Sequence, residues 1–226
     1  MSRNRIVLPL AAAVLFAAGT ASAQQDISKV NGSVLAQAGQ HYGDVSTVNG
    51  SVTVETGASV EDAETVNGSI RAGDDIRADS LSTVNGSIRI GERATVRKGI
   101  ETVNGSIFVD RGGTIGGGVS TVNGAIGLVD TDVGGGIETV SGDITVGVGS
   151  HVAGGIRVNR PTSNWFPVRV GSNRRKPRII VGPGAAVDGE LVFEREVTLY
   201  VHQTARTGKV TGATAIPYSG ARAPAE

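Results

Sequence analysis

One short motif returns seven times along this chain, at intervals that hardly vary. Val-Asn-Gly-Ser and an apolar residue follow each other from Val30, Val48, Val66, Val84 and Val103, and degenerate copies begin at Val122 and Val140. Successive copies lie 18, 18, 18, 19, 19 and 18 residues apart. A fixed period of about 20 residues is typical of a solenoid, in which each unit buries its apolar face against its neighbours. A catalytic motif is needed once, so the repetition indicates architecture before chemistry.

The apolar positions of each repeat follow the two-residue period of a β-strand. In one unit they are Val84 and the positions four and six residues later, Ile88 and Ile90. Two further apolar columns run three residues before and twelve residues after each repeat valine, with Gly134 as an exception in the second. The sequence predicts an all-β fold, a single-stranded parallel β-solenoid with about 18–19 residues per rung, and these five columns line its inside.

The Asn-Gly pair is predicted to form a corner of each rung, because both residues tolerate a left-handed backbone. Stacked asparagines can form an amide ladder along the axis. The predicted ladder residues are Asn31, Asn49, Asn67, Asn85, Asn104 and Asn123. The threonines before the repeat valines offer a second column beside it. Asn-Gly-Ser is also a glycosylation signal, but an asparagine inside a tight rung is expected to be poorly accessible.

Residues 1–23 are predicted to be a secretory signal peptide. Arg3 and Arg5 give a positive start, an apolar run follows, and Ala21-Ser22-Ala23 is a small-x-small cleavage site. The apolar run is shorter than the roughly 20 residues of a membrane-spanning helix. We therefore expect an exported protein, periplasmic or extracellular, without a membrane span.

The remaining chain divides into four parts. Residues 24–158 carry the solenoid repeats, and residues 159–178 hold three of the seven prolines and are predicted to be an inserted loop. The apolar pattern resumes in residues 179–212 as C-terminal solenoid rungs. Residues 213–226 are small and polar and are predicted to be a flexible tail.

Composition excludes several classes of function. The chain has 21 basic and 21 acidic residues, so charge gives no basis for nucleic-acid binding. Cysteine is absent, which excludes disulfides and a thiol-linked lipid anchor. Glycine is abundant, at 34 residues, and aromatic residues make up only 4%, which suits a thin core of Val, Ile and Ala.

A search for catalytic carboxylates finds no shared column. A polysaccharide lyase or hydrolase needs clustered carboxylates, with a basic partner or calcium. The best candidates are Asp110, Asp130, Asp132 and Asp143, which occupy four different positions of their own repeats. They are interpreted as solvated turn residues.

Metal and nucleophile sites are equally unsupported. The three histidines, His41, His151 and His202, are scattered, and none has a partner at ligand spacing. The glycine runs lack the Lys and Ser/Thr of a phosphate loop. We therefore predict no catalytic residue, no metal and no cofactor, and a protein that is not an enzyme.

The inserted loop is the only local departure from the repeat with binding character. It combines two aromatic residues with a cluster of cations, which could hold an anionic glycan or an envelope protein by stacking and ionic contacts. The candidate residues are Trp165, Phe166, Arg169, Arg174, Arg175, Lys176 and Arg178. The alternative is that the aromatics cover the solenoid flank while the cations stay solvated.

The repeats from "TVNGSI" to "TVSGDI", residues 27–158, resemble the adhesin-like repeat domains of exported bacterial proteins. The spacing of "IRIGERATVRKGI" and "IIVGPGAAVDGEL" is more loosely similar to bactofilins, which are polymer-forming β-helix proteins. The bactofilin resemblance implies a right-handed helix, whereas the six-residue spacing also suits left-handed ones.

Three functions follow as expectations. The first is a non-enzymatic scaffold or adhesin-like surface protein of the bacterial envelope. The second is a bactofilin-like polymer that assembles by end-to-end stacking of rungs, with weak self-association expected through the N-terminal rung. The third is a β-helix that binds or cleaves polysaccharide.

Overall fold

The computed structural model describes residues 25–161 and 175–224. In these residues the chain is all-β and winds into a parallel solenoid of about ten turns, whose strands form three parallel sheets. The period and the fold class predicted from the repeat are confirmed. The described residues contain no helix, and so none that is long and apolar enough to cross a membrane.

The three sheets run along the solenoid axis, and each rung contributes strands to them in turn. Sheet A consists of β1 (Gln25–Asn31), β3 (Tyr42–Asn49), β5 (Asp62–Asn67), β8 (Ser80–Asn85), β11 (Ile100–Asn104), β14 (Val119–Asn123), β17 (Ile137–Thr139), β20 (Ile156–Val158), β23 (Leu191–Phe193) and β26 (Val210–Thr211). Sheet B consists of β2 (Val34–Ala36), β4 (Val52–Val54), β6 (Ile70–Ala72), β9 (Ile88–Ile90), β12 (Ile107–Val109), β15 (Ile126–Leu128), β18 (Ile144–Val146), β21 (Arg178–Val181), β24 (Thr198–His202) and β27 (Ala215–Tyr218). Sheet C consists of β7 (Arg77–Ala78), β10 (Thr95–Val96), β13 (Thr114–Ile115), β16 (Asp132–Val133), β19 (His151–Val152), β22 (Ala186–Val187) and β25 (Arg206–Thr207).

Four of the five predicted inward columns form the core. In the column before the repeat valine, Leu81, Ile100 and Val119 pair in register and are buried. The columns four and six residues after the valine are equally buried, as Ile88 and Ile90 show. Burial of stacked aliphatic side chains is the main source of stability in such a narrow core.

The fourth column, twelve residues after the valine, has no gap at the repeat where Gly134 was the expected exception. Val133 pairs with Ile115 on one side and with Val152 on the other, so the column does not pass through Gly134. Compared with its neighbours, the repeat that contains Val133 has one residue fewer in the turn between sheets B and C. It keeps the three-residue corner between sheets C and A. The additional residue of the longer repeats lies at that corner, at 97–99 and 116–118, as predicted.

The prediction that the repeat valines point inward is wrong. Val84 and its equivalents are exposed on the outer face of sheet A, and the preceding threonine, such as Thr83, is buried instead. Thr83 and Ile88 both point inward although five positions separate them, an odd number that one straight strand cannot accommodate. The Asn-Gly-Ser corner between them changes the phase of the alternation.

Close packing of the backbone explains the glycine of this corner. A Cβ atom on Gly68 or Gly86 would overlap the carbonyl group of the corner glycine in the preceding rung. The backbone of Gly68 and Gly86 is not left-handed, and neither is that of the asparagines, so the predicted reason was wrong for most corners. Glycine is required here because no side chain fits between stacked rungs.

The buried threonines bond to the same corners. Thr83 Oγ1 donates to Gly68 O of the preceding rung at 2.9 Å, and Thr102 Oγ1 donates to Gly86 O at 3.0 Å. Thr47, Thr65 and Thr121 make the same bond. No backbone N–H of the described residues donates to the Gly68 or Gly86 carbonyl. The threonine column therefore satisfies carbonyl groups that the sheet ladders leave unpaired.

A further inward column was missed. It lies ten residues after most repeat valines, in the turn that leads into sheet C, and Ala58, Ile76 and Ala94 are fully or almost fully buried there. The polar residues Thr131 and Ser150 continue it. Because its members differ in size and polarity from rung to rung, no apolar period marked this column.

The solenoid continues on both sides of the insertion. The insertion lies between β20 and β21, at the corner where earlier rungs carry Asn-Gly, and most of it, residues 162–174, lies outside the described residues. Val181, Val187 and Phe193 enter the core as their six-residue spacing predicted, and Leu199 follows them.

The prediction of a flexible tail over residues 213–226 is wrong for its first part. Ala215–Tyr218 forms β27, which pairs with β24 as the last strand of sheet B, and Tyr218 is buried. Pro217 pairs opposite Val201 in this edge strand, where a missing N–H is tolerated. Burial raises the pKa of the Tyr218 hydroxyl.

A pair of neighbouring substitutions tests the orientation of sheet A. Thr83→Val preserves shape but leaves the Gly68 carbonyl without its donor, and we expect a loss of about 1 kcal/mol of stability. Val84→Thr on the outer face should change the stability by less than about 0.5 kcal/mol. Urea denaturation measures both values. Equal losses from the two substitutions would contradict the assigned orientation.

A truncation tests the C-terminal strand. A chain that ends at Gly212 lacks β27 and exposes the edge of β24, so we expect a lower urea midpoint than for the full chain. Removal of residues 219–226 alone, which keeps β27, is the matched control and should change the midpoint little. An unchanged midpoint after the longer truncation would mean that β27 contributes nothing to the fold.

Candidate functional site

The outer face of sheet A carries a continuous column of exposed valines, which we call the valine stripe. It consists of Val30, Val48, Val66, Val84, Val103 and Val122. Val30 is 67% exposed and the other five are 39–41% exposed. These six are the majority of the nine exposed large hydrophobic residues of the described chain. Because rungs stack about 4.8 Å apart, the stripe extends for about 24 Å along the axis.

On the side away from the Asn-Gly corner, a polar column borders the valine stripe on the outer face of sheet A. Two residues before each valine the chain carries serine or glutamate, and these side chains share the outward face. The column consists of Ser28, Ser46, Glu64, Ser82, Glu101 and Ser120. Ser46 Oγ donates to Ser28 Oγ at 3.0 Å. The two columns line a shallow groove that follows the sheet, with an apolar floor and hydrogen-bonding groups along one side.

The asparagine column borders the valine stripe on the other side, at the corner to sheet B. Each Nδ2 donates to the Oδ1 of the asparagine in the preceding rung, at 3.1 Å for Asn49 to Asn31 and 3.0 Å for the four later links. The amides thus form an unbroken ladder from Asn31 to Asn123. The asparagines are exposed, so the expectation that they are poorly accessible is wrong.

A basic pocket lies where the asparagine ladder ends. Ser141 takes the place of the next asparagine, and Arg195 Nη1 donates to Val140 O at 2.8 Å and to Ser141 Oγ at 3.2 Å. Arg175 and Lys176 line the same pocket as Asn123. The sequence did not single out Arg195, because it lies 54 residues from Ser141 along the chain.

The predicted partner-binding residues fall into two groups. Trp165, Phe166, Arg169 and Arg174 lie outside the described residues. The other three contact the solenoid itself. Arg175 Nη1 lies 3.1 Å from Asp143 Oδ2, Lys176 Nζ lies 2.9 Å from Glu196 Oε2, and the Arg178 guanidinium stacks 5.0 Å from the Tyr200 ring centroid.

The candidate carboxylates are distributed over different parts of the rungs. Asp143 lies at the corner before β18 and pairs with Arg175, and Asp132 lies in sheet C. Asp110 follows β12 and Asp130 lies in a turn with a positive φ of 46°. The structure therefore does not gather the four side chains into one site.

One imidazole and two carboxylates do meet on the outer face of sheet C, a grouping that sequence reasoning missed. His151 Nε2 lies 2.8 Å from Asp188 Oδ2, and its Nδ1 lies 3.9 Å from Asp132 Oδ1. Ser150, the neighbouring hydroxyl, is fully buried and points into the core. No group of three or more His, Cys, Asp or Glu residues in the described chain is arranged to hold a metal ion.

Exposed ion pairs connect successive rungs at the turns. Arg93 binds the Asp75 carboxylate through Nε and Nη2, both at 2.8 Å, and the pKa of Asp75 is lowered by this contact. Arg97 likewise contacts Asp79 and lowers the pKa of that carboxyl group. Pairs that are this exposed contribute little to stability, so they set local register more than they hold the fold.

No family model, curated protein or solved structure matched the chain in the comparisons. The fold therefore rests on the structure alone, and the surfaces of the solenoid are the guide to its function.

Proposed function

We propose that this chain is an exported, non-enzymatic β-solenoid of the bacterial envelope, a scaffold that presents an adhesin-like surface. The observation that carries the proposal is the valine stripe with its two polar borders. Aliphatic side chains that are repeated on an outer face do not contribute to the core, and a contiguous exposed apolar patch marks an interaction site.

The chemistry of the valine stripe favours a protein partner. Its floor is aliphatic, and it offers no aromatic ring on which a sugar could stack. An apolar centre with a polar rim is the usual anatomy of a protein interface. A partner that lays a flat face or an extended segment along the groove would cover the valines and meet the serine, glutamate and asparagine side chains at the edges.

The scaffold part of the proposal is supported by the way the rungs are held together. Backbone ladders in three sheets, the buried threonine bonds and the asparagine ladder all connect each rung to the next. The chain has no cysteine, so these contacts hold the rungs without disulfides. Export rests on the signal-peptide pattern of residues 1–23, which lie outside the described residues. The dispersed carboxylates support a role other than catalysis.

A triple substitution on the valine stripe tests the adhesive surface. Val66→Thr, Val84→Thr and Val103→Thr preserve β-branching and shape but make the floor polar, so we expect binding to bacterial envelope preparations to fall at least about tenfold. The measurement is saturation binding of the labelled mature chain. Thr95→Val and Thr114→Val, on the outer face of sheet C, are the matched control and should leave binding unchanged.

The same assay distinguishes the partner classes. Protease treatment of the envelopes should abolish binding if the partner is a protein, whereas loss only after glycan digestion would indicate a glycan. Unchanged affinity of the triple variant, with a fold intact by circular dichroism, would contradict the adhesive role of the valine stripe.

End-to-end assembly is the second candidate function, and the edge of the first described rung favours it. Strand β1 has a described pairing partner on one side only, and Ile27 is only partly buried. An edge of this kind can pair with another chain. At the other end, Pro217 in the edge strand β27 lacks an N–H and limits further pairing. We therefore expect assembly through N-terminal rungs to stop at dimers.

Sedimentation velocity of the mature chain over a range of concentrations tests this second function. Ile27→Lys places a charge at the open end and should shift the dimer equilibrium toward monomer. Val148→Lys, at an exposed mid-solenoid valine, is the control and should leave the dimer equilibrium unchanged. Long filaments would instead support a polymer-forming protein, and a strict monomer at high concentration would contradict association through this end.

A further inference from the structure

The corner motif of this solenoid is also the most reactive dipeptide for asparagine chemistry. In an Asn-Gly pair, the backbone nitrogen of glycine can attack the asparagine Cγ, because glycine has no side chain to hinder the approach. The Cγ–Nδ2 bond breaks, ammonia leaves, and a succinimide ring remains. Water then opens the ring to aspartate or isoaspartate. The chain has six such pairs, and all six lie on the asparagine ladder.

Five of the six pairs are held in a form that opposes this attack. Attack requires that the glycine nitrogen lose its proton and turn toward its own asparagine side chain. In five corners that N–H donates to the asparagine carbonyl of the next rung. The bonds run from Gly32 to Asn49 at 2.9 Å, Gly50 to Asn67 at 3.1 Å, Gly68 to Asn85 at 3.1 Å, Gly86 to Asn104 at 3.0 Å and Gly105 to Asn123 at 2.9 Å.

The sixth pair, Asn123–Gly124, lacks this protection. No group of the described residues accepts a hydrogen bond from the Gly124 N–H. The next corner differs from the earlier ones: the Ser141 carbonyl, which has the position of the asparagine carbonyls, does not accept from Gly124, and Arg195 bonds to Val140 O and Ser141 Oγ. The Asn123 side chain donates to Asn104 at 3.0 Å, but Ser141 has no amide that could donate to Asn123 Oδ1.

The electrostatic surroundings of this pair favour the reaction. Attack at Cγ places negative charge on Asn123 Oδ1, and cationic groups close to a developing oxyanion stabilise it. Arg175, Lys176 and Arg195 line the pocket that Asn123 also lines. Asp143, the one carboxylate in that lining, pairs with Arg175, and Lys176 pairs with Glu196. Arg195 bonds only to neutral groups among the described residues.

We propose that Asn123–Gly124 is a self-modification site, at which the folded protein converts Asn123 to aspartate or isoaspartate through a succinimide. The reaction consumes one water molecule and releases one ammonia. The product carries a new carboxylate among the cations of the basic pocket, where charge-assisted hydrogen bonds are available to it. A carboxylate at position 123 has no N–H to donate to Asn104 Oδ1, so the last hydrogen bond of the asparagine ladder is lost.

Peptide mapping of the folded mature chain tests the proposal. The chain is incubated at mildly alkaline pH in ¹⁸O-labelled water, digested with trypsin and analysed by mass spectrometry. Trypsin places Asn85, Asn104 and Asn123 on three separate peptides, so the corners of one molecule serve as controls for each other. A bonded amide reacts only after local opening, so we expect ¹⁸O to enter at Asn123 at least about tenfold faster than at the other two.

Two further measurements make the outcome decisive. In denaturant the hydrogen bonds are absent, so the three sites should react at similar rates. Ser141→Asn supplies an amide that can donate to Asn123 Oδ1, as Asn104 and Asn123 donate in the earlier corners. This bond holds the Asn123 side chain in the ladder and should lower the rate at Asn123 toward that of the others. Labelling of Asn123 no faster than that of Asn85 and Asn104 in the folded chain would overturn the proposal, as would an unchanged rate in Ser141→Asn.

Discussion

The contact between successive corner glycines is the constraint on which the rest of the solenoid depends. Gly68 and Gly86 stack with the carbonyl of one against the α-carbon of the next, and no side chain fits between them. The carbonyl groups that this packing leaves unpaired are satisfied by buried threonines such as Thr83. The asparagine ladder and the valine stripe lie immediately outside the same corner. A larger residue at the glycine would therefore disturb core, ladder and outer face together.

The period, the strand alternation and four core columns could be predicted from the sequence. Each rung buries the same positions, so apolar residues recur there at a fixed spacing. It did not show which face of sheet A the repeat valine occupies, since Val84 has the same apolar side chain whether it is buried or exposed. Only the three-residue corner, which changes the phase between Thr83 and Ile88, decides this, and a count along one strand ignores it. The last strand was missed because Pro217 and its small neighbours resemble a tail, whereas an edge position tolerates them.

The candidate sites, too, could be predicted from the sequence only in part. The ladder residues could be named from the sequence, because identical side chains at one period must stack. The valine stripe could not, since its members were assigned to the core. The basic pocket depends on Arg195 approaching Ser141 across two rungs, a contact that follows from the path of the chain around the insertion. Residues of the insertion that remain in the described chain, such as Arg175, bind the solenoid itself.

The end of the ladder also has a mechanical meaning. In a parallel solenoid the hydrogen bonds between rungs run along the axis, so a pulling force on its two ends loads the rungs in series, and the weakest rung opens first. Up to Asn123 every corner is tied by an amide link, and a threonine–carbonyl bond reinforces it. At the next corner both ties are missing among the described residues: Ser141 has no amide, and Thr139 Oγ1 accepts from Gly142 N in its own rung and makes no bond to the Gly124 carbonyl. Both series of ties end here, so under such a load we expect the rungs from this corner on to yield before the rungs that precede it.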